Sequence, residues 1–319
     1  MSSHPDPGPF YPFAGESFAL LSPLAWSFAV ILFRKTGEHL SPVPLNLFKN
    51  AFGSLLFALT LLGLWLVTGE GGAPVDVTWR EYALLLVSGL LGVGVADLLF
   101  FMCLNRLGAG RQAIVNTAYS PPIILLSWLF LGERLSGAQL AGVGAILLAV
   151  LIVGMTRQAT GEREPRVVFI GILYGVGACF TQAVSILMVK PFMGEWPLVW
   201  TTTIRMYGGL ASALLMFACA KGRDRDLSAL GRRSTWRVMV PATLLGTYVS
   251  LLFWMAGFKY ADASVAAALN QTSTLFTFVL AVVILREPVT TRRVAGLVCG
   301  IVGVLLVTFF RGAGEGSLG

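Results

Sequence analysis

The chain of 319 residues is 56% hydrophobic and only 12% charged, with 23 Lys and Arg against 16 Asp and Glu and a formal net charge of +7. Soluble domains carry about 25% charged residues, so half that density over this length excludes an ordinary water-soluble protein and places most of the chain in lipid. The basic surplus then belongs at the cytoplasmic face of a bilayer rather than on nucleic acid, and the mean hydropathy of +0.77 agrees.

The opening "MSSHPDPGPFYPF" lacks the basic region of a secretory leader, so no cleaved signal peptide is expected, and residues 1–16 read as an extramembrane tail. A membrane helix needs about 17–25 mostly apolar residues. Runs of that kind lie near 17–34, 43–67, 82–104, 110–131, 136–156, 167–189, 197–220, 237–258, 263–285 and 291–310. Lipid offers no partner to backbone N–H and C=O groups, so each run must be helical. Barrel strands would alternate over about ten residues, and these runs are uniformly apolar. The expected fold is therefore an all-α integral membrane protein with ten transmembrane helices. Connections are short; the longest is "KGRDRDLSALGRRSTWR". Gly171 and Gly175, Gly296 and Gly300, and Ala141 and Ala145 are each four apart, which suits close helix packing or plain tolerance of small residues in lipid. Cys103, Cys179, Cys219 and Cys299 fall in apolar runs without metal spacing and read as small buried hydrophobes.

The sequence repeats itself. Shifting by 154 places sets Ala109 on Ala263, Asn116 on Asn270, Leu131 on Leu285 and Glu133 on Glu287. The same shift sets Ala29 on Ala183, Gly92 on Gly246 and Gly142 on Gly296; with two further places, Lys49 meets Arg205 and Gly53 meets Gly209. One offset holding over several segments predicts two five-helix halves. Five is odd, so the second half enters the membrane inverted. Inverted repeats are a transporter design, with substrate bound near midplane where the halves meet. The expected organisation is a first repeat at 17–156, a linker at 157–166, a second repeat at 167–310 and a tail at 311–319.

With "LAWSFAVILFRK" in the first run, "FFMCLNRLGAGRQAIVNTAYSPPIILLSWLFLGERLSGAQLAGVGAILL" across the third to fifth, and "ALNQTSTLFTFVLAVVILREPV" with "AGLVCGIVGVLLV" in the second half, the chain resembles the EamA type of the drug/metabolite transporter superfamily over about residues 17–310. The stretch ending "LGERL" is the most specific part. The resemblance implies ten helices and export or exchange of small metabolites such as amino acids, nucleotide sugars, organic phosphates or drugs. It also implies cytoplasmic termini, and the charges disagree. One face holds Arg34, Lys35, Arg106, Arg111, Arg157, Arg163, Arg166, Lys221, Arg223, Arg225, Arg232, Arg233, Arg237, Arg286, Arg292 and Arg293; the other holds Arg80, Arg134, Lys190, Lys259 and Arg311. By the positive-inside rule the first face is cytoplasmic and both termini lie outside the cytoplasmic membrane.

The remaining basic residues lie within helices. Lys49 is about 10 Å deep at 1.5 Å per residue. Its methylenes can carry the charge back to the headgroups, or its ammonium stands in a cavity to meet an anionic group. Arg205, its repeat mate, keeps its proton and costs roughly 2.5–3.5 kcal/mol at a helix centre. Two such cations around one cavity suit a carboxylate or phosphate. Asp97 is the one carboxylate well inside a run, and its mate is Leu251. It can carry a proton between faces, bind an ammonium group, or pair with Lys49 or Arg106. Asn116 and Asn270 either donate to substrate or bond a neighbouring helix. Tyr119, Trp26 and Trp254 complete the candidate binding set. Pro121 and Pro122 remove two N–H donors and should kink the fourth helix. Glu133 and Glu287 end helices, where a carboxylate is unfavourable, so each needs a fixed partner such as a loop amide or an arginine.

Function follows by comparison of classes. The chain has His4 and His39 alone, no HExxH, and no serine with a histidine partner in the membrane, so an intramembrane enzyme lacks its base. No catalytic residue, metal site or cofactor is expected. No GxxxxGK[ST] is present, so energy must come from an ion or substrate gradient. The reading is a secondary transporter that moves a small polar, anionic or zwitterionic metabolite (an amino acid, organic acid or organic phosphate) across the cytoplasmic membrane by alternating access. A flippase for an anionic lipid-linked substrate is the alternative on the same fold. The expected partners are a small-molecule substrate and the lipid bilayer, with proton coupling and a homodimer left open, and no nucleic acid.

Overall fold

The computed structural model describes residues 14–69, 77–131, 137–154, 164–189, 196–220, 223–260 and 269–309. Every regular element among them is a helix. Helix α1 spans Ala14–Thr36, α2 Pro42–Thr68 and α3 Trp79–Leu107. Helix α4 is broken into Ala109–Asn116, a 3-10 turn at Thr117–Tyr119, and Ser120–Leu131. Then come α5 (Gly137–Gly154), α6 (Pro165–Val189) and α7 (Leu198–Cys219). A short polar helix α8, Arg223–Leu230, lies in the longest connection, where the sequence suggested only a loop. It leads into α9, which begins with Arg233–Thr243 and ends with Ser250–Tyr260. Helices α10 (Ser273–Leu285) and α11 (Thr291–Phe309) close the chain.

Six helices are long and apolar enough to cross a membrane by length and composition, and α5 and α10 contain shorter apolar ones. With α4 and α11 these make the ten expected spans. The outer surface carries Leu66, Phe169, Leu215 and Val283, each more than 60% exposed. A belt of that kind invites aggregation in water and suits acyl chains. Residues 261–268, at the start of the ninth expected span, lie outside the described residues. So do Glu133, Arg134, Lys190, Lys221, residues 155–163, which hold most of the expected linker, residues 1–13 of the first tail, and residues 310–319, the end of the second repeat and its tail.

The break in α4 has a local cause. Pro121 and Pro122 have no N–H to offer the carbonyls of Thr117 and Ala118. The Ser120 N–H bonds to the Thr117 carbonyl instead, tightening one turn to 3-10.

Two further irregularities disclose the repeat. Helix α3 contains a π-helical turn at Leu90–Val95 and α9 contains one at Leu244–Val249, which is the 154-residue offset again. Gly92 sits in the first against Ser185 of α6, and Gly246 in the second against Ala29 of α1. The packing follows the same exchange: α1 lies on α9 and α3 on α6, while α2 meets α7, α4 meets α10 and α5 meets α11. Swapping the halves maps each pair onto itself or its mate. The match holds at single residues. A Cβ on Gly53 would strike Met206 and Thr247, and one on Gly209 would strike Val93 and approach Asn50. Met206 and Asn50 are repeat mates, as are Thr247 and Val93. The fold is therefore two inverted five-helix repeats packed face to face.

The symmetry is not complete. Helix α7 lies closer along α3 than α2 does along α9. Gly89 of α3 abuts the Arg205 backbone, and Gly208 of α7 abuts the Leu86 carbonyl. Their mates are Thr243 and Phe52, so neither glycine recurs in the looser crossing of α2 and α9.

Candidate functional site

Where the halves meet there is a cavity of about 350 Å³, within the 300–1,000 Å³ usual for small-molecule sites. All eight residues singled out in the sequence line it: Trp26, Lys49, Asp97, Asn116, Tyr119, Arg205, Trp254 and Asn270.

Lys49 is buried, with its Nζ 2.6 Å from Asp97 Oδ2. Its side chain turns to the cavity rather than back to the headgroups. The placement comes from α2, where Asn46, Lys49 and Asn50 stand three and four residues apart and share one face. Asn46 Nδ2 donates to the Gly94 carbonyl at 2.9 Å and Asn50 Nδ2 to the Val93 carbonyl at 3.3 Å. Both carbonyls belong to the π-helical turn of α3, so the asparagines brace α2 against that turn and set Lys49 opposite Asp97, two residues beyond it.

Arg205 stands differently. Its guanidinium is part-buried and donates to Ser185 Oγ at 3.0 Å, while the buried Nε has no hydrogen-bond partner. Among the described residues no carboxylate lies within salt-bridge distance of it. The position equivalent to Asp97 is Leu251, which also lines the cavity and brings no charge to it. The two matched cations are thus unequal, one neutralised across a short ion pair and one open.

Around them the cavity is amide-rich and aromatic. Neither the Asn116 nor the Asn270 side chain makes a hydrogen bond within the protein among the described residues, so neither serves as the helix–helix bond that the sequence also allowed. Trp26 packs on Phe100 with ring centroids 5.6 Å apart. Gln182 and Gln271 line the same cavity and were missed in the sequence. The available signal was an amide inside an apolar run, "CFTQAVSIL", and an amide directly after Asn270. Ser185, the partner of Arg205, gave no signal at all, because serine is common in membrane helices.

Serine pairs seal two helix contacts near this site. Ser22 Oγ donates to the Ser250 carbonyl at 2.9 Å and Ser250 Oγ to the Ser22 carbonyl at 3.2 Å, joining α1 to α9. Ser88 and Ser185 exchange the same two bonds at 2.9 and 2.8 Å, joining α3 to α6. Away from the cavity, Glu287 accepts from the backbone N–H of Ala109 at 2.7 Å and of Gly110 at 3.2 Å, and lies 3.5 Å from Arg293. The left-handed turn at Arg286 (φ 54°) carries the chain round to that position. Glu287 thus has the loop-amide and arginine partners that its helix-end position requires, at the positive N-terminus of α4.

An all-helical, two-repeat membrane fold with a polar cavity at its junction is the build of a membrane transporter. The EamA-like transporter family model matches residues 13–155 and again 169–309, and the chain belongs to that family, with one copy of its domain in each half. An uncharacterized transporter of Archaeoglobus fulgidus is 24% identical over 91% of this chain and 96% of its own. Protein PecM of Dickeya dadantii is 23% identical over 89% of this chain and 88% of its own. Another protein's crystal structure superposes with a TM-score of 0.64 at 17% identity, covering 93% of this chain and 97% of that one, which shows a shared fold. The family and the Archaeoglobus fulgidus relative are named as transporters, and the protein is a multi-pass membrane protein.

Proposed function

We propose that the protein is a secondary transporter of a small zwitterionic or singly anionic metabolite, moved across the cytoplasmic membrane by alternating access. The observation that carries this reading is Arg205, a part-buried guanidinium in the inter-repeat cavity with no carboxylate partner among the described residues. A carboxylate on the substrate would take its free edge, since arginine grips carboxylates with paired hydrogen bonds. Asn116, Asn270 and Tyr119 supply neutral hydrogen-bonding groups, and Trp26 and Trp254 flank the apolar part of the ligand. Asp97, whose side chain is more exposed than that of Lys49 (24% against 5%), can receive an ammonium group. The cavity volume suits a metabolite of amino-acid or organic-acid size, which favours this reading over a lipid-linked substrate.

Asp97 is also the candidate for proton coupling. A proton on its carboxylate would release the Lys49 ammonium into the cavity and so link protonation to substrate charge. Transport by Asp97→Asn should then lose its dependence on pH; a profile that follows the wild type retires the coupling. A thermal-shift screen of purified protein against amino acids, organic acids and organic phosphates tests the substrate class. Stabilisation by the first two groups is expected, and stabilisation by organic phosphates alone would refute it.

A further inference from the structure

We propose that Asp97 sets the charge class of the substrate: by cancelling Lys49 it restricts the cavity to zwitterions and monoanions and excludes dianions. The inference rests on reading Arg205 as the anion-binding group. Three charged side chains line the cavity among the described residues, namely Lys49, Asp97 and Arg205. The 2.6 Å ion pair removes one cation and the anion from the sum, and a single positive charge remains. The exposed partner of the pair is the carboxylate, so a ligand meets Asp97 and not the ammonium behind it. Leu251, at the mate of Asp97, leaves Arg205 without the same cancellation.

This arrangement selects by exclusion. A monoanion held on Arg205 leaves no net charge in the cavity. A dianion leaves one charge uncompensated in a partly enclosed cavity walled by Trp26, Phe100, Leu251 and Trp254, where an unpaired charge is disfavoured. It also sits beside a carboxylate that repels it. A zwitterion leaves the cavity with the single positive charge it carries when empty, and sets its carboxylate on Arg205 and its ammonium beside Asp97, whereas a dianion reverses the sign. On this view the sequence carries two matched cations, yet the protein does not bind the doubly charged ligand that two free cations would favour.

The test is ligand-induced stabilisation of the purified full-length protein. The probes are L-alanine and L-leucine as zwitterions, butyrate as a monoanion, and glutarate and glycerol 3-phosphate as dianions. The wild type should be stabilised by zwitterion or monoanion and not by either dianion at equal concentration. Asp97→Asn should bind the dianions at least tenfold more tightly than the wild type, because Lys49 is then free. Lys49→Met/Asp97→Asn should lose that gain. In a separate arm that needs no freed cation, Lys49→Met leaves Asp97 to cancel Arg205 and should weaken butyrate at least tenfold. Asp97→Asn without a gain for dianions, a double variant that keeps the gain, or Lys49→Met with unchanged butyrate affinity would each overturn the proposal. Arg205→Ala separates the two readings: if it binds the probes as the wild type does, the Arg205 reading fails, whatever Asp97 does.

Discussion

Arg205 owes its chemistry to a residue that is absent from its own half. Lys49 and Arg205 occupy matched places in the repeat; Asp97 pairs with the first, and its own mate is Leu251, an uncharged residue of the same cavity. Leu251→Asp should therefore quench the site. It would give Arg205 the partner that Lys49 has, and anion binding should fall at least tenfold while the protein stays folded, because the new charge is paired rather than buried alone. Titration of the variant with the same probes checks this; unaltered affinity would mean that Arg205 does not face the ligand. The types of these residues could be read from the sequence, since charges inside apolar runs are few. Their pairing could not, because Asp97 was equally able to reach Lys49 or Arg106 until α2 and α3 were placed side by side. The amides Gln182 and Gln271 stayed hidden because their polarity is weak against the apolar background.

At the scale of the element, glycine decides how closely helices cross. Gly89 and Gly208 bring α3 and α7 into backbone contact beside Arg205. A methyl group at Gly89 has only the Arg205 backbone to push against, and crowding of this kind costs about 1–3 kcal/mol. Gly89→Ala should lower the unfolding temperature in detergent and reduce transport by displacing α7. Gly63, where an added Cβ would meet nothing within 4 Å, is the control, and Gly63→Ala should be neutral or slightly stabilising. Equal behaviour of the two would remove the crossing from the account. The break in α4 was legible from Pro121 and Pro122. The π-helical turns were not, for an inserted residue in a helix leaves only Gly92 and Gly246 as its trace, and glycine is frequent throughout this chain.

For the whole molecule, the 154-residue offset of the sequence reappears in the π-helical turns, and the repeat is seen again in the pairing of helices and in the contacts of Gly53 and Gly209, which lie two places further apart. This much was legible because a repeat multiplies a weak signal over many positions. Sidedness was less so. The charge count includes Arg111 and Arg293, which are buried in the protein and not free in loops, so part of the bias serves packing. The proposed orientation keeps the segment around α8 cytoplasmic. A cysteine at Ser228, in a background lacking the native cysteines, should resist an impermeant thiol reagent in intact cells and react after permeabilisation; labelling in intact cells reverses the orientation. The most direct test of the central claim, that one uncompensated cation between two inverted repeats binds the transported ligand, is uptake of a radiolabelled amino-acid and organic-acid mixture into proteoliposomes by the wild type and by Arg205→Ala. Uptake by the wild type and background counts for Arg205→Ala at equal reconstitution are expected, and undiminished uptake by Arg205→Ala would refute the role of Arg205.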